Sequence, residues 1–238
     1  MSKILVLDIE TMPAVSYHWQ LFDVNISLDQ LITPSRIYAV GAKWVGDPET
    51  LYFEAKNEKQ QKKMLSGVHK LLMEADALVT YNGEKFDIPR LFGEFAKAGL
   101  PPPPPPTSID LIKTIRKMGL QSNKLQYALT YFGLGSKVDT GGFELWRRVY
   151  EGSTEARELM ETYCIGDVEG EEKLYLKIKP YIADHPYLGP SKMDHVCSLC
   201  GSKSHKRGER RSKFYAVDRM QCTNKKCGHW DKGPRRKL

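Results

Sequence analysis

Long apolar runs are missing from this chain. No stretch approaches the roughly 18 apolar residues that a membrane-crossing helix needs, so no transmembrane span is expected. The first residues lead straight into a strand-like run without a basic and apolar leader, so no signal peptide is expected either. Cysteine is scarce: of five, Cys164 stands alone and Cys197, Cys200, Cys222 and Cys227 cluster late. The expected location is the cytoplasm, where thiols stay reduced, and there the late cluster points to a metal rather than to disulfides. No internal repeat is visible.

What is present looks globular. The chain is 41% hydrophobic and 27% charged, which argues against wholesale disorder. Its 238 residues suit one α/β domain of about 180 residues plus a small module. Charge is unevenly divided. The net charge is +7, yet from residue 191 onward fourteen Lys or Arg face four Asp or Glu, a net +10, which leaves −3 for the first 190 residues. A small, strongly basic tail on a mildly acidic body points to a polyanionic partner, foremost nucleic acid, with a solubility tail as the bland alternative.

Periodicity sets the order of elements. Residues 3–10, KILVLDIE, form the first strand. Runs 37–45 and 50–55 make a hairpin through Gly46, Asp47 and Pro48. Met64, Val68, Leu71 and Leu72 lay a helical stripe over residues 57–74. A compact apolar strand covers 77–82, and a helix with Pro89 in its first turn covers 88–100. Six prolines, 101–106, stop that helix and read as a stiff polyproline spacer. Helices follow over 108–118 and 123–134, then a loop marked by Gly133, Gly135, Gly141 and Gly142. The last helices cover 143–152 and 153–182, the second capped by Ser153 or Thr154. This order predicts an α/β domain over 1–184, its mixed sheet antiparallel at the hairpin, parallel at the helical crossovers and flanked by helices. Residues 185–190 are a linker, and 191–238 form the basic module.

The acids carry the chemistry. Side chains alternate along a strand, so Asp8 and Glu10 share a face, about 7 Å apart. Bare, they raise each other's pKa; a divalent cation removes the penalty, and hard oxygen ligands suit Mg²⁺ or Mn²⁺. A strand end reaching solvent explains these two alone equally well. Asp87 adds a third acid just past the strand at 77–82, where carboxylates from strand ends converge on one edge of such a sheet. Tyr163 and Asp167 lie one turn apart on the last helix.

Together, LVLDIET, YNGEKFDIPRL and YCIGD resemble the three motifs of the DEDD 3′→5′ exonucleases, which have a ribonuclease-H-like fold. The second has the N-x-x-x-F-D form typical of family B DNA polymerase proofreading domains. A histidine subclass would carry His at position 162; Thr162 stands there, and Tyr163 sits where the tyrosine subclass has its tyrosine. The resemblance covers residues 1–182. It implies that Asp8, Glu10 and Asp167 bind one metal, and that Asp8 touches a second completed by Asp87. Two Mg²⁺ or Mn²⁺ ions would then activate water and stabilise a departing 3′ oxygen. Tyr163 would orient the attacking water. Thr11 and Met12 would lie under the terminal nucleotide, giving backbone contacts and an apolar wedge. Asn82 and Phe86 would border the strand channel, Phe86 either stacking on a base or packing in the core. Asp110 reads as a helix cap outside the metal site, and Cys164 as a small buried side chain. Nothing in the chain could hold a polymerase.

HVCSLCGS and QCTNKKCGHW give C-x2-C, 21 residues, then C-x4-C, each pair closing on Cys-Gly. The glycine permits a tight knuckle, and four thiolates at this spacing suit one tetrahedral Zn²⁺. The module resembles a zinc ribbon, with His195 and His229 as alternate ligands and a redox-active dithiol as the competing reading. The gap forms a basic hairpin whose Arg210, Arg211, Lys213, Phe214 and Tyr215 combine cations with aromatics, the ingredients of a nucleic-acid grip. The expected protein is a metal-dependent 3′→5′ exonuclease on single-stranded or frayed DNA ends. Its partners are nucleic acid, DNA before RNA, and replication or repair proteins, with no membrane. An exoribonuclease and a non-catalytic nucleic-acid adaptor are the alternatives; the intact set of four acids and Tyr163 speaks against the adaptor.

Overall fold

The apolar strand that opens the sequence becomes the middle of a sheet. The computed structural model describes all residues except 1, 106, 187, 189–195 and 213. In chain order it has β1 (Ile4–Met12), β2 (Val15–Ser16), β3 (Leu31–Thr33), β4 (Arg36–Trp44), β5 (Leu51–Glu54) and α1 (Glu58–Glu74). Then come β6 (Ala77–Thr80), α2 (Asp87–Lys97), β7 (Ser108–Asp110), α3 (Leu111–Met118), α4 (Leu125–Tyr131), α5 (Glu144–Tyr150) and α6 (Thr154–Ile178). The basic tail supplies β8 (Ser204–Arg211), β9 (Tyr215–Cys222) and β10 (Trp230–Lys237). None of the described helices is long and apolar enough to cross a membrane.

Five strands form a mixed sheet in the order β5-β4-β1-β6-β7. The β1–β4 and β4–β5 pairs are antiparallel, and β1–β6 and β6–β7 are parallel. Alternation along β1 feeds two cores. Leu5, Leu7 and Ile9 pack with Leu65, Val68, Leu91 and Phe95 of α1 and α2, while Val6 packs with Ile115, Leu129, Val168 and Tyr175 on the other face. Fully burying each such aliphatic side chain contributes about 1.5–3 kcal/mol. A third cluster, with Met12, Tyr38, Leu145, Val149 and Met160, seats α5 and α6 at the end of β1. Asn57 caps α1 by accepting the Gln60 N–H at 3.0 Å, and Ser153, a cap expected from the sequence, accepts the Ala156 N–H at 3.2 Å.

Three features differ from the sequence expectation, and residues 13–35, for which it predicts no element, add a fourth. Ser108–Asp110 is the edge strand β7, not the start of a helix, and pairs with β6 from Leu78 to Thr80. The proline run cannot continue a helix, and it delivers the chain to the edge of β6, where Ser108–Asp110 pairs before α3 begins. The proline run is no free spacer: it is the crossover from α2 to β7. Pro103 is buried. Pro103 and Pro104 close a small hollow over Leu72, Leu78 and Leu91, and His69 Nε2 meets the Pro101 carbonyl at 2.8 Å. Residues 13–35 carry the small β2–β3 ribbon and expose Tyr17, Trp19, Leu21 and Phe22. The tail holds a three-stranded antiparallel sheet, β10-β9-β8, where only a hairpin is expected from the sequence.

One position sets how closely α6 approaches the sheet. Gly41 faces Asp8 across the β1–β4 pair. A Cβ there would meet Val168 Cγ2 at 2.7 Å and Cys164 Sγ at 3.0 Å, both on α6. Gly41→Ala is therefore expected to force α6 outward and cost about 1–3 kcal/mol, read as a lower midpoint in denaturant unfolding. An unchanged midpoint would show that α6 does not depend on this contact.

Candidate active site

Three elements bring the acids together. Asp8 and Glu10 project from β1 and Asp167 from α6, each offering a carboxylate oxygen within 4.8 Å of the others. Glu10 and Asp167 are buried, and Asp8 keeps part of its surface open. Asp87 enters from the start of α2 and is buried as well. The β1–β6 ladder stops at Val6 and Val79, so the Ile9 N–H has no strand partner on that side. Asp87 Oδ1 accepts it at 3.0 Å, which fixes this carboxylate against the strand that carries the other two.

Burial, helped for Asp8 and Glu10 by neighbouring acids, raises the acids' pKa values. Burial, then the charge of Asp167, pushes Glu10 from 4.5 to about 8. Burial lifts Asp87 from 3.8 to about 6 against the pull of the Ile9 N–H. Burial, then Asp87, Glu10 and Asp167, holds Asp8 well above the carboxylate range. Asp167 is also raised, by burial, with the Lys137 ammonium opposing.

Lys137 and Glu171 have no counterpart in the sequence reading. Lys137 Nζ sits 2.6 Å from Asp167 Oδ2 and donates to the Tyr163 hydroxyl at 2.8 Å. It arrives on the glycine-marked loop after α4, and a lone lysine in a loop carries no periodic signal. Glu171 is buried one turn beyond Asp167. Its pKa is driven well up by burial, then by Asp8, Asp87 and Asp167. Tyr163, Asp167 and Glu171 recur every four residues, a signal that could have found it. Both Glu171 carboxylate oxygens and Asp167 Oδ1 are buried with no hydrogen-bond partner. The orphaned Asp167 oxygen beside Asp8 and Glu10 completes a hard-ligand set of the kind Mg²⁺ or Mn²⁺ takes, so these residues fit such an ion.

Tyr163 borders the cluster. Burial keeps its hydroxyl well above the ordinary tyrosine pKa, so it stays protonated. Lys137 has only donors to offer, so the Tyr163 oxygen accepts from it and keeps its own proton for another acceptor. Trp146 of α5 meets the Tyr163 ring edge-on at 5.9 Å. The other expected residues scatter. Met12 is 3% exposed in the core with Leu145 and Met160, so its side chain offers no wedge; Thr11 is half-buried. Phe86 is exposed, with the Arg90 guanidinium 4.3 Å over its ring, and so is open to stacking rather than packed in the core. Asn82 takes the left-handed conformation, φ 67°, which its short polar side chain tolerates. Its N–H goes to Asp110 Oδ1 at 2.7 Å, and the Glu84 N–H to Oδ2 at 3.4 Å. Asp110 thus ties down the loop after β6 and makes no side-chain cap for α3.

In the tail, Cys197, Cys200, Cys222 and Cys227 bring their sulfurs within 4.8 Å of one another. The Leu199 N–H lies 3.4 Å from Cys197 Sγ, and Gly201 and Gly228 follow the knuckles at positive φ. A four-thiol set with amides turned toward sulfur fits a tetrahedral soft ion. His229 does not join it; its Nδ1 meets the Pro180 carbonyl at 2.9 Å and its Nε2 Asp231 at 3.3 Å. His195 and Lys213 lie outside the described residues. Arg210, Arg211 and Phe214 are exposed, and Arg235 stacks on Tyr215 at 3.6 Å.

Residues 22–179 match the family model described as the RNase_H superfamily. Among solved structures, the family B DNA polymerase from the hyperthermophilic archaeon Pyrobaculum calidifontis is similar, with a TM-score of 0.56 at 17% identity. The likeness, one of fold alone, covers 76% of this chain and 25% of that one, so the chain spans about a quarter of that polymerase. No curated protein matches the chain.

The raised acids give a testable pH dependence. Asp87 and Glu10 hold protons in the fold up to about pH 6 and 8, but release them near 3.8 and 4.5 when unfolded. The folded form therefore binds more protons across that interval, and stability falls as pH rises through it. Before Mg²⁺ or Mn²⁺ is added, Tm is expected to decline from about pH 5 to 8. Added Mn²⁺ is expected to raise Tm more at pH 8 than at pH 6, because fewer protons compete. A metal-free Tm that climbs over this range would contradict the assignment.

Proposed function

The chain belongs to the RNase H superfamily, and on that premise we propose that it is a metal-dependent 3′→5′ exonuclease of the DEDD tyrosine subclass, acting on single-stranded or frayed DNA. One observation carries the reading: Asp8, Glu10 and Asp167 converge within 4.8 Å, on the strand and helix that hold the first and third motifs. Asp87 stands at the start of α2, past the end of the adjoining strand β6, and Tyr163 one turn from Asp167. The N-x-x-x-F-D form of the second motif favours DNA over RNA.

Asp8, Glu10 and Asp167 would hold one Mg²⁺ or Mn²⁺, and Asp8 and Asp87 a second. Bound there, the ions supply an activated water and neutralise charge at the leaving oxygen. The chain's own groups do the positioning. The β1 backbone and the Ile9 N–H to Asp87 contact fix three acids in one frame. Tyr163, protonated and steadied by Lys137 and Trp146, donates its proton to the attacking water or to a phosphate oxygen and so aligns it. Phe86, backed by Arg90, offers a face for the terminal base. In the reaction, the water oxygen bonds to phosphorus, the P–O3′ bond breaks, and the 3′ oxygen leaves with a proton as a nucleoside 5′-monophosphate is released. The four cysteines would hold one Zn²⁺, making residues 191–238 a basic ribbon that grips nucleic acid and could dock replication or repair proteins.

The decisive assay uses 5′-labelled single- and double-stranded DNA and RNA with Mg²⁺ or Mn²⁺. Wild type is expected to shorten DNA progressively from its 3′ end. Asp8→Ala is expected to lose at least ~10³-fold in rate while still binding oligonucleotide, and Tyr163→Phe about 10²-fold, the usual scale for a positioned proton donor. An Asp8→Ala protein as active as wild type would sink the assignment; shortening of RNA alone would make the protein an exoribonuclease. Deleting residues 191–238 is expected to weaken DNA binding and flatten its salt dependence. Undiminished binding would remove the ribbon from substrate capture.

A further inference from the structure

The tail carries a groove that shares no residue with the carboxylate cluster. It has a volume of about 540 Å³ and is lined by Ala183, Arg210, Tyr215, Arg219, Trp230 and Lys232, among others. Ala183 follows α6, so one wall belongs to the body of the chain. The buried His229 ring ties the tail there through the Pro180 carbonyl, and the exposed Lys232–Asp184 pair lies alongside.

Its chemistry is specific. Arg219 lies 4.9 Å over the Trp230 ring, and Arg235 lies 3.6 Å over Tyr215. Trp230 is still 40% exposed, an unusual solvent share for an indole on a sheet face. The acids of the groove are already engaged. Asp218 is held by Lys206 at 2.8 Å and by Arg236 at 3.5 Å. Asp231 takes the Ser198 N–H at 3.1 Å and faces His229. The Lys232–Asp184 pair is exposed on both sides and so worth little against a competing phosphate. The groove therefore offers aromatic rings and, in Arg210, Arg219 and Arg235, cations with no ion pair among the described residues, inside a segment of net charge +10.

We propose that this groove is a second nucleic-acid site, holding single-stranded polynucleotide with bases stacked at Trp230 and Tyr215 and phosphates met by Arg210, Arg219 and Arg235. The inference deepens the reading of the tail as a nucleic-acid grip and rests on it. The physical warrant is the pairing of π-faces with a positive track: every base has a face to stack, and every linkage has a charge to neutralise. A polyanion-binding surface without stacking would need only the cations. The site would hold substrate on residues separate from the acids.

The test is binding by the full-length protein to a labelled oligothymidylate, without added Mg²⁺ or Mn²⁺ so that the strand survives. Zinc content and Tm of each variant report folding. Trp230→Leu is expected to weaken binding ~10-fold or more, the scale of one lost base stack, while Trp230→Phe stays close to wild type. Indole emission should fall on binding in wild type, and most of that fall should be lost in Trp230→Phe. Arg210→Ala should lower the slope of log affinity against log salt by about 0.7. The proposal is overturned if wild type fails to bind, or if Trp230→Leu binds as wild type does. It is also overturned if polyphosphate, which has no bases, quenches Trp230 equally. An acidic peptide that displaces the strand and gives the same quench would make a protein segment the occupant instead. Groove binding by a protein that cleaves no polynucleotide with Mg²⁺ would leave this site standing and remove the exonuclease reading.

Discussion

The arrangement is governed by an excess of buried negative charge. Asp8, Glu10, Asp87, Asp167 and Glu171 crowd the end of one strand, and among the described residues only Lys137 forms an ion pair with them. An interior does not hold such a set ionised without compensation, since each charge resists burial and repels the next. The fold meets this with raised pKa values, the Lys137 ammonium, the Ile9 N–H, and side-chain hydrogen bonds from Trp146 to Glu10 and from Tyr163 to Asp167. It leaves three carboxylate oxygens, on Asp167 and Glu171, without hydrogen-bond partners. The unfavourable electrostatics of the metal-free protein and its capacity to hold divalent cations have one origin.

Everything around the cluster keeps the acids from drifting apart. The two faces of β1 are anchored in separate cores, so the strand cannot slide without unpacking both. α6 lies against β4 because position 41 has no side chain. Its N-terminus is capped by Ser153, and its next turns are pinned by Ala156 and Met160 in the cluster with Leu145. Asp87 does two tasks: it completes the acid set, and it substitutes for a missing strand neighbour.

Much of this was legible in the sequence, and the gaps have physical reasons. β1, the β4–β5 hairpin, α1 and α6 announce themselves by period and caps, because each buries one face against a large core. The three motifs are legible because strand alternation and helical spacing fix which side chains share a face. β7 was missed because three residues carry too little pattern to compete with the helix that follows them. The proline run was misread as a spacer because composition gives stiffness and not the surface it lies on. Lys137 was invisible because its partners, Tyr163 and Asp167, are remote in sequence. Glu171 was overlooked because a glutamate on a helix is ordinarily solvated. Met12 was given to the substrate by analogy, although its alternation along β1 beyond Glu10 also fits the third core, where it lies. The cysteine knuckles were legible from spacing, but the third strand of the tail and its Trp230 face were not, since GPRRK reads as a turn followed by charge.

Residues 13–35 leave the sheet after Met12 and return at Arg36, its direct partner across the β1–β4 pair, with the Ser35 hydroxyl closing onto the Met12 carbonyl at 2.8 Å. Departure and return are thus neighbours whatever the intervening chain does. Lengthening such a closed excursion costs only about 0.6 kcal/mol per doubling, and the strand register that sets Asp8 and Glu10 is unaffected. The rim beside the acids is therefore a place where whole segments can be exchanged while the chemistry beneath stays fixed.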